Sequence, residues 1–233
     1  MLKIHWPSLG IGLGIAASVI LATILAYELG IEKSQEPSSK IQENMAQNKA
    51  SSLITGNGSP GLGSKDAPIT MIEFGDYQCF YCNKFYHTTE PDIVKNYVET
   101  GKVKMVFKDF TIIGQDSINA AHATHCAQEQ GKFWEYHDTL YNNWAGENTG
   151  WASSKHLLGF AKQAGLNEEQ FNQCMINARY TDIIQASVTN AKDLSLSGTP
   201  DFFIIGPDNS VTKVVGAQPY EVFDEIFKSE LKS

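Results

Sequence analysis

Cys79 and Cys82 stand three residues apart at the end of Glu73-Phe74-Gly75-Asp76-Tyr77-Gln78-Cys79-Phe80-Tyr81-Cys82. Two thiols at that spacing support one of two chemistries. As a dithiol/disulfide couple, Cys79 exchanges bonds with an outside sulfur and Cys82 resolves the mixed disulfide by closing a small ring. As half of a zinc site, the pair needs two further ligands at matching spacing. Cys126 and Cys174 belong to no second C-x-x-C or H-x-x-x-H, so redox chemistry is the preferred reading and no metal ligand is expected. His122, His125 and His137 lie near one another in sequence, but no carboxylate spacing completes a ligand set around them; they read as solvated or capping histidines.

The flanking residues predict how the thiols are held. Ile69, Met71, Ile72 and Phe74, bounded by Pro68 and Gly75, make the apolar run of a core strand. Phe85, Tyr86, Ile93, Val94 and Tyr97 then recur at helical spacing, with a break expected near Glu90 because of Pro91. Cys79 falls in the first turn of that helix, where unpaired N–H groups and the helix dipole stabilise a thiolate. Val103 to Phe107 reads as a second strand, parallel to the first through a right-handed crossover. Residues from about 115 to 195 carry the alanines, aromatics and leucines of several helices. After Gly198-Thr199-Pro200, two apolar runs, 201–205 and 211–215, flank a Gly-Pro-Asp-Asn-Ser turn and predict an antiparallel hairpin. Pro219 opens a last helix with a stripe of Val222, Phe223, Ile226, Phe227 and Leu231.

Around this body the composition changes. Residues 1–33 read as a cytoplasmic stub and membrane anchor: from about Leu9 to Tyr27 the chain is apolar, Lys3 precedes it, and Glu28, Glu32, Lys33 and Glu36 follow. That length matches a spanning helix, and the charge asymmetry predicts a cytoplasmic N-terminus with the body exported. A cleaved signal peptide is the alternative, but Ile24 is too large for the small-residue cleavage pattern ending at Ala26. Residues 34–64 are polar and read as a flexible linker, leaving 65–233 as the folded domain. The net charge of -8 argues against nucleic acid as a partner.

The cysteine segment, the helical segment Cys126-Ala127-Gln128-Glu129-Gln130-Gly131-Lys132-Phe133-Trp134 and Gly198-Thr199-Pro200 together resemble the thioredoxin superfamily, and within it the exported DsbA-like thiol–disulfide oxidoreductases. The resemblance covers roughly Pro60 to the C-terminus. It implies an α/β thioredoxin fold with an inserted helical domain at about 115–195. It also implies Cys79 as nucleophile, Cys82 as resolving cysteine, and Thr199-Pro200, with a cis proline, as the loop that offers backbone groups to an extended substrate. Phe80 and Tyr81 flank the same surface. Glu73, six residues before Cys79, matches the family's buried acid; facing inward it would have a raised pKa and exchange a proton with Cys82, whereas facing outward it would do neither.

Phe80-Tyr81 holds none of the histidine found between the cysteines of the strongest oxidases, so a less oxidising disulfide is expected. Cys126 and Cys174, an even pair in an exported domain, predict a structural disulfide rather than two buried free thiols. The expected cofactor is none beyond the Cys79–Cys82 disulfide. The expected partners are cysteine-containing exported proteins and a membrane redox protein that resets the pair. Isomerase or reductase direction, and a non-catalytic chaperone, are the alternatives.

Overall fold

The structure, a computed structural model, describes residues 50–232. Its sheet has the order β2-β1-β3-β4, with β1 at Ile69–Gly75, β2 at Val103–Asp109, β3 at Asp201–Ile205 and β4 at Val211–Val215. β1 and β2 are parallel, with Ile69 opposite Val103 and Gly75 opposite Asp109. The β1–β3 and β3–β4 pairs are antiparallel. The crossover from β1 to β2 is helical: α1 (Phe80–Thr88), α2 (Glu90–Ile93) and a π-helical turn at Val94–Val98. Thr89 leaves helical geometry and Pro91 sits in the first turn of α2, where its missing N–H has no helical partner to lose.

Five helices separate β2 from β3: α3 (Gln115–Gln128), α4 (Phe133–Asn142), α5 (Ser154–Gln163), α6 (Glu168–Ile176) and α7 (Thr181–Asp193). The last helix, α8 (Tyr220–Glu230), returns to the sheet. Strand alternation sorts β1 onto two faces. Ile69 and Met71 join Phe85, Ile93, Phe202, Phe223 and Phe227, whereas Ile72 and Phe74 join Ile54, Val188, Ala191 and Phe203. Glu73 shares the parity of Met71, and it is buried. Disulfide-bonded Cys126 and Cys174, 48 residues apart in sequence, tie α3 to α6 within the helical layer.

Two expectations are corrected. The histidines are not solvated: His122, His125 and His137 are all buried. From Ala120 to Ala127 helix α3 is enclosed on every side, its small Ala120, Ala121, Ala123 and Ala127 letting neighbours approach closely. His125 Nε2 lies 2.7 Å from Asp109 Oδ2 at the end of β2, and His137 Nδ1 lies 3.0 Å from the Tyr77 hydroxyl.

The second correction concerns the linker. The compact unit begins at Ser52, not at residue 65. Ile54 is buried, and Leu62 pairs with Met105 through both backbone bonds, 2.8 and 3.0 Å. Ser59 N–H donates to Phe107 O at 2.8 Å, and Trp134 Nε1–H donates to Pro60 O at 2.9 Å. The Ser59 and Leu62 bonds are made by backbone along the open edge of β2, so they need no apolar periodicity. The predicted anchor at 1–33, and the linker before residue 50, lie outside the described residues. Among the described residues no helix is long and apolar enough to cross a membrane.

Candidate active site

The turn from β1 into α1 is built around one buried carboxylate. Asp76 Oδ1 accepts Gln78 N–H at 2.8 Å, and Oδ2 accepts the N–H groups of Ile112 and Ile113 at 2.8 and 3.1 Å. Burial pushes the Asp76 pKa up, against the opposing pull of these hydrogen bonds. Gly75 is required here, since a Cβ would run into the Phe107 ring on β2. Gln78 locks the turn to the helical layer. Its Nε2 donates to Ser117 Oγ at 3.0 Å, its Oε1 accepts Asn148 N–H at 2.7 Å, and its backbone oxygen accepts Trp144 Nε1–H at 2.9 Å.

Cys79 is the N-cap of α1, with extended backbone, and its carbonyl accepts Asn83 N–H at 3.0 Å. Cys82 lies one turn on and is fully buried. Neither thiol is in a disulfide, and the two are electrostatically unlike. The Cys79 pKa falls from 9.0 to about 6. The largest cause is the hydrogen bond from Cys82; burial opposes it, and the Thr199 side chain and the N–H groups of Cys82 and Tyr81 add to it. Cys82 moves the other way, well above 9.0, through burial first and then through its bond to Cys79 and the charges of Cys79 and Glu73.

Thr199-Pro200 faces this pair. The peptide bond between them is cis, and Thr199 O lies 3.3 Å from Cys79 Sγ. That carbonyl accepts from a thiol and so favours the neutral form. The Thr199 hydroxyl has no other partner, and turned to the sulfur it favours the anion. Pro200 O accepts Gly216 N–H at 2.9 Å, which fixes the loop to the end of β4.

Glu73 is buried beneath the pair. Its pKa is raised well above the carboxylate range by burial, then by the charges of Glu90 and Cys79. It therefore carries a proton at a pH where an exposed glutamate has lost it. Phe80 and Tyr81 are 50% and 57% exposed, their rings edge-to-face, and Phe80 also meets Trp144 at 6.0 Å. Cys79, Cys82, Glu73, Thr199 and Pro200 thus converge, while Cys126 and Cys174 are bonded to each other in the helical layer.

Three residues at this site escape sequence reasoning: Gln78, Trp144 and Glu147. Phe80 N–H donates to Glu147 Oε1 at 3.0 Å. A carboxylate from a loop far along the chain thereby occupies a free donor at the start of α1. Nothing in local spacing signals it.

The arrangement suits sulfur exchange. An exposed aromatic pair borders a sulfur with a lowered pKa, a buried thiol with a raised pKa lies one turn on, and a buried acid with a raised pKa feels the charges of this pair. The sequence profile of the family described as Thioredoxin matches residues 55–226. The chain is 27% identical over 167 residues to the "Probable disulfide bond formation protein D" of Bacillus anthracis, spanning 70% of this chain and 77% of that protein. It is 26% identical over 178 residues to the "Disulfide bond formation protein D" of Bacillus subtilis, spanning 75% and 78%. The oxidised crystal structure of BdbD from Bacillus subtilis superposes with a TM-score of 0.68 at 25% identity, over 75% of this chain and 94% of that one. Alpha-DsbA1 of Wolbachia pipientis superposes with a TM-score of 0.66 at 25% identity, over 75% and 90%. With the profile spanning most of the sequence and the fold shared with these structures, the chain belongs to the thioredoxin family and, within it, to the DsbA-like thiol–disulfide oxidoreductases.

Proposed function

We propose that this protein forms disulfide bonds in cysteine-containing proteins outside the cytoplasm, working through Cys79 and Cys82 while tethered by an N-terminal membrane anchor. The observation that carries this reading is the opposite tuning of the two thiols, Cys79 down to about 6 and Cys82 well above 9.0. A substrate thiolate attacks Cys79 Sγ of the oxidised pair, and Cys82 leaves as the thiolate. Because Cys82 holds its proton strongly, protonated Glu73 beside it is suited to donate one. A second substrate thiolate attacks the substrate sulfur of the mixed disulfide, and Cys79 leaves as a stabilised anion. The substrate departs oxidised and the enzyme reduced, so a membrane redox partner must return the pair to the disulfide. In that step Glu73 takes the proton back from Cys82. Phe80, Tyr81, Thr199 and Pro200 form the surface against which the substrate lies, with Thr199 supplying backbone groups to an extended segment. The disulfide is the only redox group this chemistry needs.

The test is oxidation of a reduced two-cysteine peptide by the oxidised protein, followed by mass. Cys79→Ser reduces turnover to the uncatalysed rate, and Cys82→Ser, with Cys79 first capped as a mixed disulfide with glutathione, accumulates an adduct with a one-cysteine peptide as glutathione is released. Full activity in Cys79→Ser, or suppression of client aggregation that survives it, would replace this reading with that of a non-catalytic chaperone.

A further inference from the structure

Behind the helix that carries the two thiols, a cavity of about 510 Å³ opens between α1, α2 and α4, lined by Tyr86, His87, Glu90, Pro91, Asp138 and Asn142 among others. Glu90 is 5% exposed, and no hydrogen bond reaches its carboxylate among the described residues. Lys95 lines the same cavity, but no ion pair among the described residues joins it to Glu90 or Asp138. The Tyr86 hydroxyl, on the same cavity wall, accepts Asn142 Nδ2–H at 3.2 Å. His137, fully buried, has one nitrogen engaged: Nδ1 lies 3.0 Å from the Tyr77 hydroxyl. Its Nε2 has no hydrogen-bond partner.

One ligand atom from each of Glu90, His137 and Asp138 lies within 4.8 Å of the other two. The Glu90 and Asp138 carboxylates repel each other at this distance, Asp138 being the exposed member of the three, and burial adds to the cost of a charge on Glu90. A buried imidazole nitrogen without a partner is also costly. A single divalent ion answers both. The mixed nitrogen and oxygen set suits a borderline transition ion such as Zn²⁺, and is poorer for Ca²⁺ or Mg²⁺, which take oxygen ligands. The cavity leaves room for water to complete the coordination, and Tyr77 fixes the imidazole in the way outer partners of metal-bound histidines do.

We propose that Glu90, His137 and Asp138 form a binding site for one divalent transition-metal ion of the Zn²⁺ class, separate from Cys79 and Cys82. The ion joins the start of α2 to α4, and through His137 it orders Tyr77, two residues before the nucleophilic sulfur. The site stands independently of the sulfur chemistry, since its ligands are neither of the two thiols.

The test is equilibrium dialysis of the full-length protein against Zn²⁺ alone, with Cys79 and Cys82 oxidised so that neither sulfur can ligate. The expected result is one bound equivalent and a higher melting temperature. Glu90→Gln and Asp138→Asn each lose that equivalent, and Tyr77→Phe weakens it by ~10–100-fold, as loss of an outer partner does. Circular dichroism checks that each variant is folded, and either ligand variant alone suffices for the comparison. No bound Zn²⁺ in the parent, binding unchanged in a folded ligand variant, or saturation by Ca²⁺ but not Zn²⁺ overturns the proposal.

Discussion

At Cys79 two claims on the start of α1 compete. The N–H groups of Tyr81 and Cys82 stabilise the thiolate, but that of Phe80 is committed to the Glu147 carboxylate, which also brings negative charge to the same helix end. Charge at a helix terminus is worth about 0.3–1 kcal/mol, and one pKa unit corresponds to about 1.4 kcal/mol. Glu147→Gln keeps an oxygen for Phe80 N–H and removes the charge. We expect it to lower the Cys79 midpoint by a few tenths of a unit, within about 0.2–0.7. It should also make the disulfide more oxidising. Ultraviolet absorbance of the thiolate against pH reads the first effect, and equilibration with glutathione reads the second. An unchanged or higher midpoint would mean that Glu147 acts only as a tether for its loop. The absence of a histidine between Cys79 and Cys82 removes one source of thiolate stabilisation, and Glu147 weakens another. The lowered Cys79 pKa therefore depends first on Cys82 as a donor, not on the helix end.

The elements are held by a few buried polar contacts as much as by apolar packing. The His125–Asp109 pair links α3 to the end of β2, with side chains only 3% and 4% exposed. Burial pulls the His125 pKa down, but the Asp109 charge and hydrogen bond outweigh it, and the net shift from 6.5 is upward. Between 6.5 and that higher value the folded chain keeps a proton that the unfolded chain has lost. The stability from this pair is therefore full below 6.5 and is lost as pH rises through the folded value. Asp109→Asn should destabilise the protein by about 3–5 kcal/mol where His125 is charged. The deficit should shrink as pH rises, as read from denaturant midpoints at several pH values. A deficit independent of pH would show that His125 is neutral in the fold and that the pair acts only as a hydrogen bond.

For the molecule as a whole, the boundary of the domain decides whether the edge of β2 is open. Residues 59–62 cover that edge, and Ile54 fills the face shared by Ile72, Phe74 and Phe203. A chain begun at Lys65 loses both, whereas one begun at Ser52 keeps them. Burial of one isoleucine is worth about 1.5–3 kcal/mol, and an exposed edge strand invites pairing between chains. The shorter chain should therefore have a denaturant midpoint lower by at least this amount and should aggregate at concentrations where the longer one does not. Equal behaviour would return residues 52–64 to the role of linker. The same segment shows where sequence reading stops. Its edge bonds run mostly through backbone N–H and C=O groups, which every residue has, and Ile54 and Leu62 stand too far apart to make a period, so composition shows only a polar stretch.

What the sequence alone determined lies within short reach along the chain. The spacing of Cys79 and Cys82, the apolar run of β1, the break at Pro91 and the hairpin after Pro200 are all local patterns set by the strand and helix periods and by proline geometry. Only the tertiary structure decided which distant groups meet them. Thr199 comes to 3.3 Å from Cys79 across 120 residues, and Glu147 reaches Phe80 across 67. His137 and Asp138 meet Glu90 with no periodic signal on either side. Such meetings are products of layer packing, where the position of one side chain depends on how whole helices stack; a one-dimensional pattern records the stacking surfaces but not their mutual placement.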